Sequence, residues 1–279
     1  KSGTIKIVKK NIIDKNIKYY SLLNVSASSY DYSNPINDCY NKSVENCFRK
    51  FLIENKIELV HIFHLRNWPV SILKIINSFN IPVIMSIVDY WLVTPDIHLE
   101  YLKNSKYLTC QYPEIADLFE FRKKFVVNYF NKYCDKGLVC SPESKKILAN
   151  YGLKSTIIKS FFYPAAGFSK TNEKSNFINK VRLGYTAGSV SREKGFEFLY
   201  NVFSKHFGNK KNIELYVYGI TEKDLINLHL KKYSNIILKP RYDKDNVTDI
   251  HNDFDFTVIP SIVEDFGPQT LFQSFKCGN

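Results

Sequence analysis

Short, largely apolar runs alternate along this chain with longer stretches in which apolar positions recur every third or fourth residue. Residues 57–62 (IELVHI), 81–87 (IPVIMSI) and 136–140 (KGLVC) are runs of strand length. Apolar runs of this kind fit strands covered on both faces, the pattern of a parallel sheet. Between the first two, 69–79 carries Val70, Ile72, Leu73 and Ile76 at helical spacing. Ser141 and Pro142 then stand as the cap and first residue of a helix that Tyr151-Gly152 ends. Residues 156–158 lead out of this unit.

Periodicity lapses over 164–179 (PAAGFSKTNEKSNFIN) and then resumes. Strands are predicted at 181–186, 213–218, 236–238 and 255–259. Helices are predicted at 197–207, 222–232, 245–251 and 270–276, with Gly278 as the last C-terminal stop. Strands alternating with helices imply parallel sheets with crossover helices. The expected organisation is two α/β domains, 1–165 and 181–279, joined by a linker over 166–180.

Composition agrees with that division. At roughly 150 residues per domain, 279 residues allow two domains. A hydrophobic fraction of 44%, with 15% aromatic residues, excludes a disordered or fibrous chain. No uncharged apolar run is long enough to span a membrane, and residues 1–18 lack the apolar block of a signal peptide. Cys39, Cys47, Cys110, Cys134, Cys140 and Cys277 show no C-x-x-C and no close pairing. They read as reduced thiols of a cytoplasmic protein, not as a disulfide frame or a zinc site.

Charge narrows the partners. There are 39 Lys+Arg against 27 Asp+Glu, a formal net charge of +12. The excess is mostly lysine and dispersed, with clusters at Lys9-Lys10, Arg122-Lys123-Lys124, Lys210-Lys211 and Lys231-Lys232. This suits a phosphate-bearing partner or an ordinary solvated surface. Arginine is scarce and no nucleic-acid-binding signature is visible, so nucleic acid is not an expected partner. Residues 114–133 combine aromatic and basic side chains. Packing on the protein's own sheet is the favoured reading, and contact with an anionic membrane surface is the other.

Candidate chemistry concentrates near the C-terminus. No dinucleotide fingerprint or Walker loop occurs. Asp253-Phe254-Asp255 looks like a metal-binding pair but reads better as the entrance to a strand, and no metal site is expected. His61 and His64 follow a strand, where α/β proteins build sites. Residues 258–279 (VIPSIVEDFGPQTLFQSFKCGN) place a strand end at Pro260-Ser261, the acids Glu264 and Asp265, then Phe266-Gly267-Pro268 and a helix. The amides and dipole of a helix start hold phosphate. Carboxylates just before it accept hydrogen bonds from sugar hydroxyls, or simply cap the helix.

This tract resembles the acidic motif of family-4 retaining glycosyltransferases, whose GT-B fold has two Rossmann-like domains facing a cleft. Pro260, Ser261, Glu264, Asp265, Pro268, Thr270, Leu271, Cys277 and Gly278 fit it without a gap. Residues 59–65, 81–91 and 183–199 (LGYTAGSVSREKGFEFL) are similar to further family tracts in the same order. The resemblance covers most of the chain from about residue 57. Relatives begin with a Gly-rich strand-loop and continue past the C-G pair. The resemblance therefore implies truncation at both ends and an incomplete C-terminal domain.

The resemblance also implies roles. Lys194 neutralises the departing diphosphate of a nucleotide-sugar donor, and Gly188, with Ser189 beside it, lets the loop approach that diphosphate. Asp265 or Glu264 bonds the donor sugar. The amides around Phe266 and Gly267 hold phosphate or sugar, and Gln273 takes the place of a ribose-binding glutamate. Arg241 and Tyr242 lie near the nucleobase, while His64 and Asp89 belong to the acceptor side. No metal or other cofactor is implied. The acceptor is a glycan or a lipid-linked molecule in cell-surface polysaccharide or glycoconjugate synthesis, handled in the cytoplasm or at the inner membrane face.

Three departures stand out: Val88 where the family often has histidine, Ser189 where many members have arginine, and Gln273 for glutamate. They keep open a catalytically impaired protein that binds nucleotide or glycan. A GT-B sugar-nucleotide epimerase is the other alternative.

Overall fold

In a computed structural model, the described residues are 6–10, 17–23, 33–95, 113–160, 180–187, 190, 192–243 and 246–279. The chain divides into two compact units, Lys1–Phe162 and Tyr163–Asn279. Most of the expected linker, 166–179, falls outside the described residues.

The first unit is built on a parallel sheet of four strands in the order β3-β4-β5-β6. These are β3 (Val60–Ile62), β4 (Val83–Ser86), β5 (Lys136–Val139) and β6 (Ile158–Ser160). The runs predicted as strands all lie here, shortened at their ends. Helices α2 (Ile72–Ser78), α3 (Ala116–Tyr133) and α4 (Pro142–Asn150) alternate with them. Ser141 caps α4 as expected, its Oγ accepting the Ser144 N–H at 3.0 Å.

Strand β6 and three further elements were not predicted. An antiparallel pair, β1 (Lys6–Lys10) and β2 (Tyr19–Leu23), stands apart from the main sheet. Helix α1 (Lys42–Glu54) buries only Val44 and Leu52 fully. Cys47, Phe48 and Phe51 are half-buried and complete with them a stripe at helical spacing. Its start is fixed by Asn41, whose Oδ1 accepts the amides of Ser43 and Val44, both at 3.2 Å.

The basic cluster on α3 is not one solvated face. Arg122 is fully buried: its Nε donates to Asp38 Oδ2 at 2.8 Å and its Nη2 to the Trp91 carbonyl at 2.6 Å. Its guanidinium also lies 4.6 Å from the centre of the Trp91 ring. Lys123 pairs with Glu120 at 2.8 Å, and Lys124 is exposed. Val126 and Phe130, at i+4 and i+8, share the inward stripe with Arg122. Among the described residues, no helix is long and apolar enough to cross a membrane.

The second unit has four parallel strands in the order β10-β7-β8-β9. They are β7 (Val181–Tyr185), β8 (Ile213–Tyr218), β9 (Ile236–Lys239) and β10 (Phe256–Thr257). Along β8, Leu215 and Val217 join one core cluster with Tyr185, Phe196, Tyr200 and Phe203, while Tyr216 and Tyr218 pack with Ile250 and Phe254. That alternation marks a sheet covered on both faces. Gly184 makes room for Phe254, because a Cβ there would lie 2.5 Å from its ring.

The helices are α5 (Phe196–Phe207), α6 (Glu222–Asn227), α7 (Val247–Asn252) and α8 (Gln269–Cys277). Thr221 and Asp224 form a capping box at the start of α6. The predicted helix over 222–232 stops early, because His229 takes a left-handed φ of 55° and Leu230 N–H closes on Leu225 O at 2.9 Å. Gly278, with φ of 76°, ends α8 as expected.

Strand order fixes where a site can form. From β7 the chain steps to β8 and β9, then returns to place β10 on the other side of β7. The sheet's switch point therefore lies between β7 and β10, where open α/β sheets bind ligands beyond the strands' carboxyl ends.

Candidate functional site

A pocket of about 350 Å³ occupies that switch point. Tyr185, Thr186 and Ala187 line it from the end of β7. Val258, Ile259, Pro260 and Ser261 line it from the end of β10. Lys194 reaches in from a short 3₁₀ turn (Arg192–Lys194) ahead of α5.

Backbone contacts hold that turn. Gly195 has φ of 68°, and a Cβ on it would sit 2.0 Å from the Pro260 carbonyl oxygen. The Ile262 N–H donates to Glu193 O at 3.1 Å, tying the turn to the loop after β10. Only glycine satisfies both the left-handed backbone and the close approach. Gly195→Ala should therefore cost about 1–3 kcal/mol of stability from backbone strain, with the overlap added. Thermal melting of the purified variant checks this, and an unchanged midpoint refutes the packing described.

Within the pocket, Lys194 Nζ donates to Asp265 Oδ2 at 2.8 Å, and the Ser261 hydroxyl lies 3.4 Å from the same oxygen. Both charged side chains are partly exposed, 35% for Lys194 and 23% for Asp265. The pair thus faces solvent through the pocket. Helix α8 begins at its wall, with Gln269, Thr270 and Gln273 among the lining residues. Pro268 occupies the cap position and makes no side-chain cap hydrogen bond. The first amides of a helix lack intrahelical acceptors, so this start offers donors and a positive dipole end to an anion.

Two more groups shape the pocket. Tyr242 donates its hydroxyl to the Thr186 carbonyl at 2.8 Å. Burial pushes its phenol above the ordinary range. The Thr186 Oγ1 is buried without a hydrogen-bond partner among the described residues. A buried unpaired hydroxyl is costly, and a bound polar ligand would satisfy it.

The two neighbouring acids separate. Asp265 lines the pocket, whereas Glu264 does not. Gly267, Gln273 and Tyr242 line it too. Phe266 is buried away from the lining, and Arg241 is exposed outside it. Gly188 and Ser189 lie outside the described residues. Thr186, Gly195 and the Pro260 carbonyl had no sequence signal, because their parts depend on which strand ends the sheet order brings together.

Asp253 and Asp255 are engaged structurally. Asp255 takes the Arg182 amide and guanidinium, each at 2.8 Å, and Asp253 accepts from the Tyr218 hydroxyl at 2.5 Å. Among the described residues, no group of three or more potential ligands could hold a metal ion.

In the first unit, the ends of β3 and β4 bring His64 and Asp89 together. His64 Nε2 lies 2.8 Å from Asp89 Oδ2, and Asp89 Oδ1 accepts the Trp91 N–H at 2.9 Å. The other His64 nitrogen, Nδ1, accepts the Arg66 N–H at 2.7 Å. An accepting nitrogen carries no proton, so the neutral ring holds its proton on Nε2 and donates it to Asp89. His61 instead bonds Ser86 Oγ at 2.9 Å. Cys39, Cys47 and Cys134 are free thiols, and burial pushes those of Cys39 and Cys134 up to about 12.

No protein-family model matches the chain, and no curated protein matches it. Solved structures do. Anabaena HepE in complex with UDP-glucose superposes with a TM-score of 0.56 at 11% identity, covering 85% of this chain and 61% of that one. Trehalose-6-phosphate synthase from Burkholderia multivorans gives 0.56 at 10% identity over 98% of this chain and 71% of its own. The lipopolysaccharide outer core galactosyltransferase WaaB gives 0.52 at 14%, covering 84% and 58%. The chain thus spans about three fifths of the length of HepE. At such identities the likeness is one of fold: the chain shares the α/β, parallel-sheet GT-B fold of these glycosyltransferases.

Proposed function

We propose that this chain carries the donor-handling machinery of a retaining glycosyltransferase, moving a sugar from a nucleotide-sugar to an acceptor hydroxyl. The observation that supports it best is the Lys194–Asp265 pair at the β7/β10 switch point, set beside the open start of α8. Cation and helix start suit a diphosphate, and the carboxylate suits sugar hydroxyls. HepE, of similar fold, was crystallised with UDP-glucose.

In this reading the anomeric carbon gains oxocarbenium character as the nucleoside diphosphate leaves. Lys194 and the α8 amides stabilise the developing charge. The leaving phosphate takes the acceptor proton as the hydroxyl adds to the same face. His64 and Asp89 serve the acceptor side. Neither a metal nor another cofactor enters the scheme. The acceptor is a glycan or lipid-linked molecule, and the work is done in the cytoplasm or at the inner membrane face. Exposed Leu118, Phe121 and Lys124 on α3 support peripheral contact there. Sedimentation with anionic vesicles tests that contact, and protein left wholly in the supernatant removes it.

A panel of nucleotide-sugars tests the central claim. A bound donor at a hundred times its Kd should stabilise the protein by about 2.7 kcal/mol, seen as a raised melting temperature. Folded protein that responds to no donor defeats the proposal. Gln273, which lines the pocket in place of a glutamate, favours a second reading, a nucleotide binder without catalysis. Donor binding without turnover on any acceptor selects it.

A further inference from the structure

A line of contacts runs from the interior of the first unit to the His64–Asp89 pair. Asp38 holds Arg122 Nε at 2.8 Å. Arg122 Nη2 holds the Trp91 carbonyl at 2.6 Å, and its guanidinium lies over the Trp91 ring. The Trp91 N–H holds Asp89 Oδ1 at 2.9 Å, and Asp89 Oδ2 receives the His64 Nε2 proton at 2.8 Å. Residues at the two ends are environmentally distinct. Arg122 is 0% exposed, whereas the His64 and Asp89 side chains are 29% and 22% exposed.

A guanidinium suits this place because its donors leave in fixed, divergent directions. One is committed to a carboxylate and another to a peptide carbonyl. The Trp91 residue is thereby held from both sides, through its carbonyl by Arg122 and through its N–H by Asp89. The link to Asp89 is the Trp91 backbone, whose N–H and C=O belong to successive peptide units joined at its Cα. Arg122 Nη1 and the Trp91 indole N–H are buried with no hydrogen-bond partner among the described residues. The site therefore retains a charge whose satisfaction is incomplete, where a packed apolar side chain would give a simpler core.

We propose that Arg122 is a positioning residue for Asp89: by fixing the Trp91 backbone it aims the Asp89 carboxylate at the His64 Nε2 proton and so supports the tautomer that the Arg66 N–H also selects at Nδ1. The functional meaning of this rests on reading His64 and Asp89 as acceptor-side groups. The arrangement itself does not depend on any donor.

Ring-nitrogen NMR of the full chain labelled with ¹⁵N-histidine tests it. The chain has six histidines, and His64→Gln assigns the signal. In the wild type, His64 should show one protonated nitrogen, Nε2, and one unprotonated nitrogen, Nδ1. Two variants probe the link. The pair Asp38→Leu with Arg122→Met removes both buried charges together. Arg122→Lys keeps a charge facing Asp38 but cannot span to the Trp91 carbonyl with the same fork. In whichever variant is folded by circular dichroism, the two His64 nitrogens should move toward the averaged shifts of exchanging tautomers. A purely structural role would leave them unchanged. Unaltered, distinct His64 signals in a folded variant overturn the proposal. A protein that binds no nucleotide-sugar would still give this spectrum, so the result stands apart from the fate of the glycosyltransferase reading.

Discussion

Lys194→Ala is expected to lower sugar transfer by about 10²–10³-fold in kcat/KM, the range for losing one preorganised electrostatic donor. Lys194 is the only cationic side chain lining the pocket among the described residues, and its ammonium stands 2.8 Å from Asp265. Removing it does two things to an arriving diphosphate. It deletes the neutralising charge, and it leaves Asp265 facing the phosphates unpaired. Both act in the same direction, so affinity for the free nucleoside diphosphate should fall along with turnover. Asp265→Asn should behave differently. It removes the charge that opposes phosphate, so nucleoside diphosphate binding should hold or improve. Sugar transfer should drop, because the carboxylate acceptor for the sugar hydroxyls is lost. Parallel titrations of diphosphate and nucleotide-sugar against both variants check the split. Unchanged turnover in Lys194→Ala removes this residue from the mechanism.

Much of this pocket was legible in the sequence, for identifiable reasons. Lys194, Asp265, Gly267 and Gln273 were singled out by the resemblance of 183–199 and 258–279 to glycosyltransferase tracts, and all four line the one pocket. The strands were legible because parallel strands covered on both faces leave continuous apolar runs, as at 213–218. What was not legible depends on long-range geometry. Gly195 is unremarkable in sequence until Pro260, sixty-odd residues on, is brought against it by the order β10-β7. The choice between Glu264 and Asp265 turns on which one reaches Lys194. Arg122 read as part of a basic surface cluster because no local feature announces its partner Asp38, 84 positions away. Helix α1 was legible yet not predicted: after the cap Asn41, Val44, Cys47, Phe48, Phe51 and Leu52 recur at helical spacing. His229 gave no sign that it would adopt a left-handed turn, a conformation more usual for glycine or asparagine.

Arg122→Met alone is expected to destabilise the first unit by about 3–5 kcal/mol, the cost of breaking a buried ion pair from one side. Its partner Asp38 is 3% exposed, so a carboxylate that loses this guanidinium cannot exchange it for water without opening the unit. For a unit of this size the loss amounts to a fall of roughly 6–20 °C in its melting temperature. Asp38→Leu alone strands the guanidinium and should cost a similar amount. Combining the two should restore most of the loss, because replacing a buried pair by apolar residues of similar volume is often neutral. The coupling between the sites should therefore be large and favourable in a double-mutant cycle. Additive single effects would show that the pair does not share the penalty of burial, and that the 2.8 Å contact carries little of the unit's stability. The Trp91 carbonyl remains without its Arg122 donor even in the double variant. Recovery should consequently stop about 1 kcal/mol short, near the net worth of one hydrogen bond.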